Sequence, residues 1–282
     1  MGLHYIPEGA LLSAPTPFLY QNRLYAVCSR YLNDFFVEGE EDGLFLLATD
    51  DGVHFTEHPL GIHAQSAAII SDPNGFHLFY TGKHEICHAI SASPMGPWKC
   101  AGPSIAPNPT IYKDCVWQDP WLWQDDAGIW HMILGAEENK RIGRCGCIAH
   151  CTSDNLIDWV VHPPFYSPGS LINAPASPCF FRIGETAYLL YTAQSDTPRQ
   201  HYRFLPPNSR QWKIPPDDTL DARGFSGGRF VDTGKERLII GIVPTRNRNE
   251  WDFQPESFAG QDYNTWDTGG ALQLHALTQA ED

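Results

Sequence analysis

Trp117-Gln118-Asp119-Pro120 opens an apolar strand, a polar turn follows over 124–128, and a second strand returns over 129–134. The same strand–turn–strand unit recurs along the chain. Its five copies cover 14–29, 65–81, 119–135, 176–192 and 226–242, with turns at 21–23, 72–75, 124–128, 183–185 and 232–235. Alternation within the strands is incomplete, as expected where both faces are buried. Outer segments follow at 46–55, 91–98, 151–159 and 208–212, each pairing a small polar turn with a Phe or Trp. A repeat of this length predicts an all-β fold, a five-bladed β-propeller. No Ser/Gly linker or charge block divides it, so one domain over 1–282 is expected. The blades fall roughly at 11–60, 61–110, 111–165, 166–218 and 219–282, and the strand over 269–277 closes the ring. A propeller brings every inner strand start to one central funnel. Asp119 is then a carboxylate aimed at a binding site, and its sister positions read Ala14 and Ala176.

Composition narrows the partners. The chain is 42% hydrophobic and 12% aromatic, enough for a sizeable core, and 24 glycines with 23 prolines suit many short strands. The formal net charge of −14 argues against nucleic acid, whose phosphates need clustered Lys and Arg, and against an anionic membrane surface. It suits a neutral polar ligand such as a sugar. The N-terminal stretch, Met1 to Glu8, has neither a basic segment nor an apolar run, so no signal peptide is expected. The eight cysteines lie mostly in apolar strands, where Cys packs as a small hydrophobe. A cytoplasmic protein with free thiols is expected.

The blade-by-blade pattern resembles the catalytic propeller of glycoside hydrolase family 32, with family 43 as the wider relative. The third blade carries it best, in Trp117-Gln118-Asp119-Pro120, Trp130 to Leu134 and the stretch from Gly146 to Trp159. The second contributes Gln65-Ser66-Ala67 and His77-Leu78-Phe79-Tyr80-Thr81-Gly82. The fifth contributes Leu220-Asp221, Arg237 to Gly241 and the strand after Trp266. The 282 residues are accounted for by the propeller pattern, so a short, divergent branch without the family's C-terminal β-sandwich is expected. The resemblance implies a nucleophilic Asp in blade 1, a transition-state-stabilising Asp in blade 3 and an acid Glu in blade 4. Asp119 matches the second. Ser13-Ala14-Pro15 and Ala176-Ser177-Pro178 stand where the other two belong.

Retaining glycosidases need two carboxylates roughly 5 Å apart, one to attack and one to protonate the leaving oxygen. Alanine does neither. Three readings stay open: a sugar-binding pseudoenzyme, an enzyme using other carboxylates or non-hydrolytic small-molecule chemistry, or alanines engineered to trap substrate. The ligand implied is a furanose-containing saccharide, fructoside or arabinoside. Asp34 and Glu137 are the candidate replacement carboxylates beside Asp119. Ser66, Trp117, Gln118, Ser177 and Arg229 join Ala14 and Ala176 as candidate binding residues, Trp117 by stacking on a sugar face and Arg229 by pairing with Asp119 or gripping a ligand carboxylate.

No cofactor or metal is expected. His84-Glu85-Ile86-Cys87-His88 matches a zinc motif that needs a helix, and this segment reads as a strand, where four residues span roughly 13 Å. Cys145 and Cys147 point to the face opposite His150, which favours packing over a metal knuckle. Ser71-Asp72-Pro73-Asn74-Gly75 looks like the family's nucleophile motif, yet it leads straight into His77 to Tyr80. Asp72 is therefore expected to begin a hairpin turn.

Overall fold

The computed structural model describes residues 3–8, 10–32, 41–102, 105–140, 145–168, 175–194, 198–221, 224–244 and 269–278. Among these every regular element is a strand. Strand β1 is Leu3–Tyr5. The first meander is β2 (Ala10–Tyr20), β3 (Arg23–Leu32), β4 (Glu41–Thr49) and β5 (Thr56–Pro59). The second is β6 (Ala67–Asp72), β7 (Gly75–Thr81), β8 (Ile86–Ser91) and β9 (Lys99–Cys100). The third is β10 (Tyr112–Gln124), β11 (Trp130–Glu138), β12 (Gly146–Ser153) and β13 (Val160–Tyr166). The fourth is β14 (Ala176–Ile183), β15 (Thr186–Gln194), β16 (Pro198–Leu205) and β17 (Thr219–Leu220). The last is β18 (Ser226–Asp232), β19 (Arg237–Pro244) and β20 (Gly270–Ala276), with β1 pairing on β20.

These antiparallel meanders make a β-propeller. Closure also involves β1, which the sequence pattern does not predict: Leu3, His4 and Tyr5 pair with Leu274, Gln273 and Leu272 of β20. One further pair, Leu12 with Gly270, joins β20 to β2, so the first and last meanders form one eight-stranded sheet. The fourth meander also runs past the expected boundary at 218. Leu220 pairs with Gln200 there instead of opening the next unit.

Apolar side chains fill the space between successive meanders. Val27, Leu46, Ile69 and Leu78 pack between the first and second, and Phe79, Ile86, Trp117 and Met132 between the second and third. Ile133, Leu189 and Tyr191 lie between the third and fourth. Cys179, Phe181, Phe225 and Ile239 lie between the fourth and last, where the Phe181 and Phe230 rings stack 4.0 Å apart. Leu12, Ala26, Ile240 and Leu272 fill the remaining interface. Inner strands such as β11 and β14 thus bury both faces along their central stretch, which is why their hydrophobicity does not alternate cleanly. All eight cysteines are free, and Cys147, Cys151 and Cys179 are fully buried core residues.

The meanders are also tied by polar groups at one position, near the end of the second strand in three of them. Thr81 Oγ1 accepts the Asp119 N–H of the third meander at 3.1 Å, and Thr192 Oγ1 accepts the Gly227 N–H of the last at 2.9 Å. Ser29 Oγ donates to the Gln65 carbonyl at 2.5 Å. Gly135 holds the matching place in the third meander, where it pairs with Gln118. A Cβ there would stand 2.1 Å from the Pro175 carbonyl oxygen. Glycine lets the incoming fourth meander pack backbone against backbone. Gly135→Ala is expected to cost roughly 1–3 kcal/mol, the usual range for overpacking, read as a lower denaturant midpoint with unchanged m-value.

Candidate functional site

Four inner strands share a local distortion. Their ladders skip between Ser13 and Thr16, Gln118 and Trp121, Ala176 and Cys179, and Ser226 and Arg229. Within each bulge one residue is left-handed: Ala14 (φ 47°), Asp119 (φ 61°), Ser177 (φ 48°) and Gly227 (φ 66°). These four are backbone equivalents. The sister of Asp119 in the fourth meander is therefore Ser177, and Ala176 corresponds to Gln118 and Ser13 instead. The sequence expectation slipped by one residue because it aligned strand starts, whereas the bulge defines the register.

The equivalents meet. Asp119 Oδ2 accepts the Ser177 N–H at 2.8 Å and the Ser177 hydroxyl at 3.4 Å. A Cβ on Gly227 would lie 3.7 Å from Ser177 Oγ and 3.6 Å from Pro15 Cδ, beside Ala14. From the second meander the buried Ser66 Oγ lies 3.2 Å from the Asp119 nitrogen and 2.7 Å from Thr81 Oγ1. Ala14, Ser66, Asp119, Ser177 and Gly227 thus form a chain of close contacts around one axis. Gln118, Ala14 and Ser226 beside them are partly exposed, and Asp119 is 7% exposed. Asp119 carries the sole carboxylate at the four bulges. Its Oδ1 makes no hydrogen bond among the described residues, which leaves one oxygen for a ligand hydroxyl.

Asp119 also has a structural task. Gly135 offers no hydroxyl to the fourth meander, and the Asp119 carboxylate takes the Ser177 N–H that a Thr at that place would cap. Replacing Asp119 by Ala is expected to leave that N–H orphaned and cost about 1–3 kcal/mol. Asp119→Asn keeps an acceptor and should stay within about 1 kcal/mol of the parent. Paired urea melts of the two variants check this, and equal losses would remove the capping role.

Other candidates take different places. Trp117 is buried between the second and third meanders with Nε1 donating to the Ile105 carbonyl at 2.8 Å, so it packs the core and does not stack on a sugar. Arg229 is fully buried. Its guanidinium donates to the Asp119 backbone carbonyl at 3.0 Å and to Thr16 Oγ1, and sits 5.9 Å over the Trp121 ring. It forms no ion pair with the Asp119 carboxylate among the described contacts and has no exposed surface with which to grip a ligand. It is a tie from the last meander to the third and first. Burial lowers its pKa, with the Asp119 charge opposing that shift.

Glu137 lies two residues past Gly135 on β11, roughly 7 Å along the strand. Its Oε2 accepts from Lys113 Nζ at 2.9 Å, with the Cys115 and Cys145 thiols donating at 3.7 Å. Bonds to Cys145 first and Glu137 second raise the Lys113 pKa, so the carboxylate is paired with a firmly held cation. No described contact brings it to Asp119. Asp34 lies outside the described residues. Among the described residues no group of three or more His, Cys, Asp or Glu is arranged to hold a metal ion. His84 pairs with Asp114 while His88 pairs with His77, so the zinc-like spacing converges on nothing. Asp72 is the expected turn residue, accepting the Asn74 and Gly75 N–H groups. A cavity of about 390 Å³ lies away from Asp119, on the second meander beside Phe76, Ile90 and Lys99.

The sequence model described as the glycosyl hydrolases family 32 N-terminal domain matches residues 4–202, from β1 into β16. No curated protein matches in sequence. Among solved structures, a Bombyx mori family 32 β-fructofuranosidase superposes with a TM-score of 0.70 at 15% identity, covering 98% of this chain and 61% of that one. A thermostable family 43 glycoside hydrolase gives 0.64 at 15% identity, covering 95% and 89%. A family 43 β-xylosidase/α-arabinofuranosidase from a compost metagenome, solved with xylotriose, gives 0.66 at 13% identity, covering 96% and 92%. At such identities the likeness is one of fold.

Proposed function

The chain belongs to the glycosyl hydrolases family 32 N-terminal domain family, and from that premise we propose that it binds a furanose-containing saccharide in its funnel without hydrolysing it. The reading takes the whole chain as one five-bladed domain, the eight-stranded sheet counting as two blades. Five apolar clusters, one per interface, support that count. One observation carries the functional reading: of the four equivalent left-handed positions, Asp119 alone bears a carboxylate, and the others are Ala14, Ser177 and Gly227. Retaining hydrolysis needs a nucleophile and an acid held at a fixed separation, and Glu137 is paired with Lys113. A carboxylate oxygen still accepts hydrogen bonds from sugar hydroxyls, with Gln118 and Ser226 partly exposed beside it. The xylotriose-bound relative supports a saccharide ligand, and a fructoside or arabinoside fits the family. Eight free thiols suit the cytoplasmic expectation.

Calorimetric titration with fructo- and arabino-oligosaccharides tests the proposal, together with turnover of aryl furanosides. Binding without turnover is expected. Asp119→Asn should weaken binding at least tenfold while leaving the fold intact, which separates ligand contact from capping. Ala14→Asp combined with Ser177→Glu, which places carboxylates at two positions equivalent to Asp119, should create measurable hydrolysis. Turnover by the parent chain would overturn the non-hydrolytic reading, and absence of binding to either sugar series would overturn the ligand class.

A further inference from the structure

The meander carrying Asp119 has two flanking interfaces, and each is bordered by a pair of histidines wired in the same way. On the second meander His77 Nδ1 and His88 Nε2 lie 2.9 Å apart, with His77 Nε2 3.4 Å from Asp72 Oδ1. On the third, His131 Nδ1 and His150 Nε2 lie 2.9 Å apart, with His131 Nε2 3.2 Å from Asp125 Oδ2. The registers coincide. His88 pairs with Phe79, two residues past His77, and His150 pairs with Ile133, two residues past His131. Both carboxylates are turn residues fixed by backbone N–H donors, from Asn74 and Gly75 in one case and Ala127 and Ile129 in the other.

Two ring protons satisfy each row. The first ring donates from Nε2 to the carboxylate and accepts at Nδ1 from the Nε2–H of the second. Any further proton makes a cation of a ring already hydrogen-bonded in its neutral form. On Nδ1 of the first ring it would also abolish the bond between the rings. Those rings touch the side chains that close each interface. His88 stacks on Phe79 at 4.3 Å, which meets Trp159 of the third meander edge-on at 5.5 Å. His131 stacks on Trp123 at 4.9 Å, which meets Phe180 of the fourth at 4.5 Å. Among the described residues the other titratable groups near the rows add no compensating anion. Lys99 lines the cavity that His77 borders, and its neighbour on β9 is Cys100. Arg182 lies over Phe180, and the His162 ring lies 5.1 Å from that of His150.

We propose that the two Asp–His–His rows are an acid-sensitive clamp on the meander carrying Asp119, released from both sides as the second histidine of each row takes up a proton. This does not depend on the saccharide reading. Burial and then His77 push His88 down to about 4, and burial followed by His131 and His162 push His150 down to about 4. An unfolded histidine titrates near about 6.5. Between those values the unfolded chain binds more protons, so the rows' contribution is complete above about pH 6.5 and is lost as pH falls toward 4. At pH 5 each row then shifts the opening equilibrium about thirtyfold and both together nearly a thousandfold.

Hydrogen exchange of the intact protein at pH 7 and pH 5, corrected for intrinsic rates, reads the clamp. Protection of β10 to β12 should fall at pH 5 while β18 and β19 hold. In His88→Phe/His150→Phe, which keeps the ring packing and removes both titrating sites, that selective loss should disappear. A loss spread evenly over all meanders, or one unchanged in the double variant, would overturn the proposal. If that variant does not fold, imidazole NMR titration of the parent decides: two histidines titrating below about pH 5 support the clamp, and all titrating near the unfolded value refute it.

Discussion

One extra residue in each of four inner strands governs the centre of this propeller. A bulge leaves its left-handed residue unpaired in the ladder and turns its amide away from the neighbouring strand. At Asp119 and Gly227 that amide is buried and must be satisfied from the preceding meander, by Thr81 and Thr192. At Ser177 the preceding position is Gly135, and the acceptor is the Asp119 carboxylate. The same bonds that hold the meanders at their angular spacing therefore set which polar atoms face the axis. Arg229 reinforces the arrangement from behind, joining three meanders through one guanidinium.

The division between polar groups spent on the fold and those with bonding capacity left over follows from this. Ser66, Thr192 and Gln200 are buried and Thr81 is half-buried, and all four are spent on each other or on backbone, with Gln200 accepting from Gly228 and Thr192 and donating back to the Gly228 carbonyl. Asp119 belongs to both groups, one oxygen holding the ring and the other making no described bond. A carboxylate so tethered is pre-oriented, which lowers the ordering cost of accepting a ligand hydroxyl.

Much of the fold was legible because the period of the hairpins is a local property. The turns at Asp72 and Asp232 hold their own signals, an Asx side chain bonding the backbone two residues on. The Asp119-Pro120 dipeptide located the third meander and its bulged inner strand for the same reason. What lay hidden depended on pairing across distance. The three-residue strand β1 has no pattern of its own and exists through β20. The one-residue offset between Ala176 and Ser177 is a matter of bulge register, to which hydrophobicity is blind. Trp117 and Arg229 looked like ligand contacts because residue type does not reveal which side of a strand faces a neighbouring meander. The histidine rows, 11 and 19 residues apart in sequence, needed the register before they could be seen.

The left-handed positions also restrict what evolution can put at the axis. Positive φ costs a side-chain-bearing residue on the order of 1 kcal/mol, more if β-branched, and asparagine and aspartate bear it best after glycine. The alphabet available at 14, 119, 177 and 227 is thus short: Ala, Asp, Ser and Gly are what this chain uses. Aspartate is one of the few members of that alphabet with acid–base chemistry. The backbone thus limits the polar chemistry these four positions present at the axis, and does so before any side chain has met a neighbour.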